Sequence, residues 1–249
     1  MDRKAYVTTM RFDPSNSVRA AMTFHDIYSY AEISQNNQDS RGARGHAHWE
    51  NILNWREKLI SFGAGPMPMN NVKVYGGGKG SNYSAGTETE AINRFWRNVF
   101  AGCASSRFHR PALPRVWGSG LNARVRTNLQ AIDMFLQEFD IFRASPHNDL
   151  LRHSVASVPG SMEAYVTAEI GKQYAVYFPR GRFRVALDPW IYKEQVRVRW
   201  LDIEDLSWSE PETVTVQWEG SRDDWGHRGE IPLKTPGNKT YVALIEVIE

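Results

Sequence analysis

The sequence predicts an α/β segment joined to an all-β one: half of a (β/α)8 barrel, about four βα units, followed by a C-terminal antiparallel β-sandwich. Three observations predict it. Up to residue 158, strand-like apolar runs alternate with helical patterns. From Glu163 onward only short alternating strands remain, separated by Gly, Pro and Asp turns. The front segment is also too short for a closed barrel, which takes about 250 residues. The expected domains are 1–158 and 159–249 of the 249 residues.

Tyr6 to Phe12 reads as a strand, ended by the turn Asp13-Pro14-Ser15-Asn16-Ser17. Ser17 to Phe24 suits a short helix. Ile27 to Ile33 is a second strand, closing in the polar tip Ser34-Gln35-Asn36-Asn37. Trp49, Ile52, Leu53, Leu59 and Ile60 fall on one stripe of a helix over 47–62, which Gly63-Ala64-Gly65-Pro66 stops. Met69 to Tyr75 is the third strand. Thr87-Glu88-Thr89-Glu90 forms a capping box that starts a helix buried through Ile92, Phe95, Trp96, Val99 and Phe100. A short strand over 101–108 ends in Arg107-Phe108-His109-Arg110-Pro111, and Leu121 to Phe139 is the last long helix.

Beyond Glu163, strands are expected at 164–170, 174–178, 183–187, 196–201, 214–218, 230–233 and 241–248. Short strands at this spacing read as a sandwich.

Strand–helix units in succession predict parallel strands with right-handed crossovers, and ligands meet such folds at the carboxyl ends of the strands. Those ends here are polar, which suits a polyhydroxylated ligand. Net charge is +2 and the arginines are scattered, which excludes a nucleic-acid surface. Aromatics make up 12%, with nine Trp, enough to supply both a core and rings that stack on the C–H face of a sugar. Cys103 is the only cysteine, so no intrachain disulfide forms, and its apolar run reads as buried. No run approaches the length of a membrane helix and no signal peptide opens the chain, so a cytoplasmic protein with no membrane partner is expected. His46 and His48 have metal-ligand spacing but no evident third ligand, and Gly76-Gly77-Gly78-Lys79-Gly80 lacks phosphate-loop spacing; neither metal nor cofactor is expected.

The β segment carries a further signal. Tyr174-Ala-Val-Tyr-Phe-Pro-Arg-Gly181, Val198-Arg-Trp-Leu-Asp202, Trp208-Ser-Glu-Pro211 and Tyr241-Val-Ala-Leu244 resemble the C-terminal sandwich of apiosidase-like glycoside hydrolases. That sandwich goes by the provisional name of a collagen-binding domain, a label nothing in these residues supports. Arg94-Phe-Trp-Arg-Asn-Val-Phe-Ala-Gly-Cys-Ala104 is similar to the helix leading into the last strand of the same barrels. The resemblance implies a carbohydrate substrate and a chain matching the second half of the barrel. It also implies that residue 1 falls just after the strand that carries the family's acid/base glutamate. The strand expected to hold the nucleophile, Met69-Asn70-Asn71-Val72-Lys73-Val74-Tyr75, has asparagines and a lysine instead. Neither family carboxylate has a matching position. Members of the parent family are often exported.

Ordinary glycoside cleavage needs one protonated and one ionised carboxyl group. Glu32 is the leading candidate, since burial in a barrel interior would raise its pKa toward acid/base use; a structural pairing with an arginine is its other reading. Asp13 is the candidate partner, although Asp before Pro also suits a plain turn. Gln35, Asn36, Asn70, Asn71, Lys73, Arg107 and His109 are the expected binders of sugar hydroxyls, and Trp49 or Trp117 the stacking ring. A half barrel leaves two sheet edges and an inner face open, so a homo-oligomer, dimer or higher, is expected. The function read here is a glycoside hydrolase; the alternative is a non-catalytic carbohydrate-binding or scaffolding protein descended from one.

Overall fold

A computed structural model describes residues 8–9, 14–24, 26–33, 44–61, 67–75, 87–109, 122–152, 163–181, 184–219 and 228–248. The chain is a mixed helix and sheet protein that divides into two compact units, Met1–Val125 and Arg126–Glu249. The expected boundary at 158/159 lies outside the described residues.

The first unit runs β1 (Thr8–Thr9), α1 (Pro14–Thr23), β2 (Tyr30–Glu32), α2 (Gly45–Ile60), β3 (Met69–Tyr75), α3 (Glu88–Phe100) and β4 (Ser105–His109). Its strands form one parallel sheet in chain order. A helix lies between each pair of successive strands, as parallel pairing requires. Pro14 opens α1, because its fixed φ suits a first helical turn; the helix therefore takes in residues that the sequence reads as a turn.

Local chemistry sets both ends of α3. Thr87 caps it, its hydroxyl accepting the Glu90 N–H at 3.1 Å. At the far end the Gly102 N–H donates to Val99 O at 3.0 Å and the Cys103 N–H to Asn98 O at 3.0 Å, the pairing of a Schellman stop. Gly102 sits at φ +80, where a side chain is strained, and a Cβ there would stand 2.8 Å from Arg56 Nε. One face of α3 packs on the sheet: Phe95 stacks on Phe108 with centroids 4.7 Å apart, and Ala91, Val74 and Phe108 cluster together.

α4 (Ala123–Glu138) begins at the division between the units. Asn122 accepts the Val125 N–H at 2.9 Å, which starts it. Then follow β5 (Ser145–Pro146), a single 3-10 turn, β6 (Leu151–Arg152), β7 (Tyr165–Glu169), β8 (Gln173–Phe178), β9 (Arg184–Leu187), β10 (Gln195–Asp202), β11 (Ser207–Trp208), β12 (Glu212–Thr215), β13 (Gln217–Glu219), β14 (Arg228–Lys234) and β15 (Tyr241–Val247). They make two antiparallel sheets, β11-β10-β15-β8-β7-β5 with β12 also on β10, and β13-β14-β9-β6.

One apolar cluster draws on both sheets. Val196, Val198 and Trp200 of β10, Tyr174, Val176 and Phe178 of β8, and Tyr241, Ala243 and Ile245 of β15 meet Val185, Leu187, Ile231 and Leu233. These residues alternate along each strand, as a half-buried ladder requires. Arg199, on the other face of β10, reaches Glu138 of α4 at 3.3 Å. The single strand expected over 214–218 is two strands. β12 pairs with β10 of one sheet and β13 with β14 of the other, and the chain crosses at Val216, which is buried and donates its N–H to Glu194 O at 2.8 Å.

Candidate functional site

The residues expected to bind sugar divide by where the parallel sheet puts them. Asn71 and Asn98 tie β3 to α3: the Asn71 amide donates to Asn98 Oδ1 at 3.0 Å, and Asn98 Nδ2 bonds Asn71 O and Ser106 Oγ at 3.2 and 3.1 Å. Asn71 is wholly buried and faces the helix. Alternation then places Asn70 on the opposite face, where the register sets it beside Glu32 on β2 and Ser105 on β4. Arg107, two residues along β4 from Ser105, is exposed on that same face. The structure thus brings Glu32, Asn70 and Arg107 to one side of the sheet and Asn71 to the other.

Height along the strands differs as well. Glu32 pairs with Asn70, the second residue of β3, five positions before Tyr75 at its carboxyl end. At about 3.3 Å per residue that is roughly 16 Å from the end where parallel sheets meet their ligands. Glu32 is 6% exposed; it closes β2 yet lies level with the starts of β3 and β4. Cys103, in the turn before β4, feels the Glu32 carboxylate and the Arg56 guanidinium with opposite sign. Burial first and then Glu32 push the Cys103 thiol far above its ordinary range, so it stays protonated.

Tyr75 and His109 pair at the carboxyl ends of β3 and β4, and Lys73 lies within β3. Trp49 is fully buried on α2, within the core rather than on a surface open to a sugar ring. Asp13, Gln35, Asn36 and Trp117 lie outside the described residues.

A convergence of charge absent from the sequence reading lies between α2 and α3. The Glu90 carboxylate accepts from Arg94 Nε at 3.2 Å and, more tightly, from an Arg97 terminal nitrogen. Arg97 Nε donates to His48 Nδ1 at 3.3 Å. Burial first, then Arg97 and Arg94, hold the His48 pKa well below its ordinary 6.5, so the ring is neutral and free to accept that bond. The sequence reading assigned the Glu90 side chain to a capping box. Thr87 makes its half of the box, but the Glu90 carboxylate turns to the arginines. The spacing of Glu90, Arg94 and Arg97, four and then seven residues on one helical face, was the available signal. Among the described residues, no group of three or more His, Cys, Asp or Glu side chains is arranged to hold a metal ion. No helix among them is long and apolar enough to cross a membrane.

No protein-family model and no curated protein matches the chain. Solved structures do. A glycoside hydrolase family 5 protein from Bacteroides vulgatus superposes with a TM-score of 0.60 at 13% identity, over 91% of this chain and 53% of its own. A provisionally assigned glycoside hydrolase from the same organism gives 0.55 at 9% identity, over 89% of this chain and 42% of its own. The chain therefore spans about half the length of the solved structures it matches. At these identities the likeness is one of fold: this protein has a glycoside-hydrolase-like fold.

Proposed function

We propose that the protein is a glycoside hydrolase acting on carbohydrate through the inner face of half a (β/α)8 barrel, with an antiparallel β-sandwich following it. The polar row on the sheet face turned away from α3 carries the reading: Glu32, Asn70 and Ser105 side by side, with Arg107 above them. In a barrel of this kind that face is the interior. The likeness of the whole fold to glycoside hydrolases supports the same assignment. Glu32, enclosed and on that face, is the acid/base candidate, and Asp13 the second carboxyl group. Asn70, Lys73, Arg107 and His109, with Gln35 and Asn36, are the hydroxyl binders. Pairing of two copies along the open edges at β1 and β4 would bring eight parallel strands together, so the working form is a homo-oligomer.

One observation favours the second reading, carbohydrate binding without hydrolysis. Glu32 closes β2 but stands level with the amino ends of β3 and β4, far from the carboxyl ends of those two strands, where barrel chemistry would draw its other groups. The test is hydrolysis of a panel of aryl glycosides by protein of measured oligomeric mass, alongside Glu32→Gln. Turnover that elutes with the oligomer and is lost in Glu32→Gln supports the hydrolase and its acid/base residue. Turnover unchanged by the substitution overturns the role of Glu32. No turnover on any sugar, with sugar binding retained, selects the binding protein.

A further inference from the structure

The unit Arg126–Glu249 exposes a strip of aromatic rings that its own core does not use. Trp190 and Tyr192 are 58% and 88% exposed and flank Ile191, which is buried. His147 meets the Trp190 ring edge-on, with centroids 6.3 Å apart. On the other side, Tyr192 lies nearly parallel to Trp218, 8° between planes and 6.3 Å between centroids. Each of the two exposed rings thus has a half-buried ring beside it.

The loop that presents them is rigidly held. Trp190 adopts φ +50, a left-handed backbone that a side chain of this size avoids. The Asp188 carboxylate accepts the Trp190 N–H at 3.3 Å and the Arg152 guanidinium at 2.7 Å, and the Asp188 N–H donates to Leu150 O at 2.8 Å. The Pro189 carbonyl accepts a tight bond from the Tyr174 hydroxyl, itself buried in the core and accepting the Gly171 N–H at 2.7 Å. At the other end, Gly229 lies opposite Trp218, where a Cβ would come within 3.3 Å of the indole. Strain kept in place by surrounding bonds is a mark of function. Here it fixes an indole in solvent, where the hydrophobic effect alone would not leave it.

We propose that this strip is a binding platform for a neutral pyranose polysaccharide, separate from the parallel sheet. The two exposed rings each have an apolar face and a polar edge, the Trp190 indole nitrogen and the Tyr192 hydroxyl. That combination matches a ligand whose ring faces are C–H groups and whose rim is hydroxylated. Lys193 and Glu194, both exposed, follow Tyr192 and can reach sugar hydroxyls at the margin. The platform is preorganised, so little ordering opposes binding.

The test is affinity electrophoresis of the full chain in native gels containing soluble β-glucan, xylan, mannan or galactan. The wild-type protein is expected to be retarded by at least one of them. Trp190→Ala and Tyr192→Ala each weaken retardation roughly tenfold or more. Tyr192→Phe, which keeps the ring, stays within about threefold of wild type. Tyr192 is almost fully exposed, so Tyr192→Ala leaves the fold intact by far-ultraviolet dichroism. Retardation by none of the four polysaccharides, or retardation indifferent to both alanine substitutions, overturns the platform. A fall in oligomeric mass in Tyr192→Ala also overturns it, by assigning the strip to a second copy of the chain. Binding and turnover are separate readouts, so the platform stands or falls independently of the hydrolase assignment.

Discussion

In Met1–Val125 the space between α2 and α3 is occupied by charge. Arg94, Arg97 and His48 are almost wholly buried beside the carboxylate of Glu90, and the buried amides of Asn71 and Asn98 join the sheet to the helix. In Arg126–Glu249 the space between the sheets is occupied by Val, Leu, Ile and aromatic rings, with polar groups at the margin, such as the Tyr174 hydroxyl under Pro189. The two interiors resist different insults. An apolar core loses stability in proportion to the volume removed and is indifferent to pH. A buried ionic cluster loses stability when one partner disappears, since the remaining charges are left in a poor solvent.

The sharpest way to test that contrast is to damage each interior once and follow amide exchange in peptides from both units. Phe178→Ala is expected to have the larger effect, about 3–5 kcal/mol, because it opens a cavity beside Trp200 at a fully buried position. Its effect should fall on exchange over 173–178 and be insensitive to salt.

Glu90→Gln comes next. It removes the carboxylate charge that Arg94 and Arg97 both bond, but Glu90 is 13% exposed, so solvent offsets part of the loss. About 2–3 kcal/mol is expected, read as lost protection over 88–100, with added chloride restoring some of it. Loss of protection in both units from either substitution would mean that the two interiors unfold as one.

The smallest effect is acid sensitivity. The folded-state pKa of His48 lies below its ordinary 6.5, so between the two values the unfolded chain binds the extra proton. The His48 contribution is therefore complete above about pH 6.5 and is lost as pH falls below it, by at most about 1.4 kcal/mol per pH unit. Denaturant titrations across this range should show the slope, and His48→Gln, which keeps an acceptor for Arg97, should flatten it. A slope unchanged by His48→Gln would remove His48 from the account.

Much of the architecture was legible because it is written in short-range patterns. The third strand was expected over Met69 to Tyr75 and is found with those bounds, and the helix cap at Thr87 was legible from its hydroxyl and the acidic turn that follows. The seven-strand reading of the second unit missed β5, β6 and β11, each two residues long, because so short a strand has no period to detect. The break at Val216 escaped for another reason. Alternation continues through it, and only the pairing partners show that the chain changes sheets.

Which of the expected site residues share a face was not legible in the sequence. Asn70 and Asn71 read alike in the sequence, yet one lies on the face of Glu32 and the other is bonded to α3. Trp49, an expected stacking ring, is at the centre of a unit, whereas Tyr192, which the sequence did not single out, stands in solvent.

The sequence by itself determined the third strand, the start of α3 at Thr87, and that a parallel α/β segment precedes an antiparallel one. Those follow from side-chain period and from capping groups a few residues apart. Only the tertiary structure decided the level of Glu32, the turn of Glu90 toward two arginines, the neutrality of His48 and the outward set of Trp190. Strand register, burial and local field depend on groups far away in the chain, and no local pattern carries them.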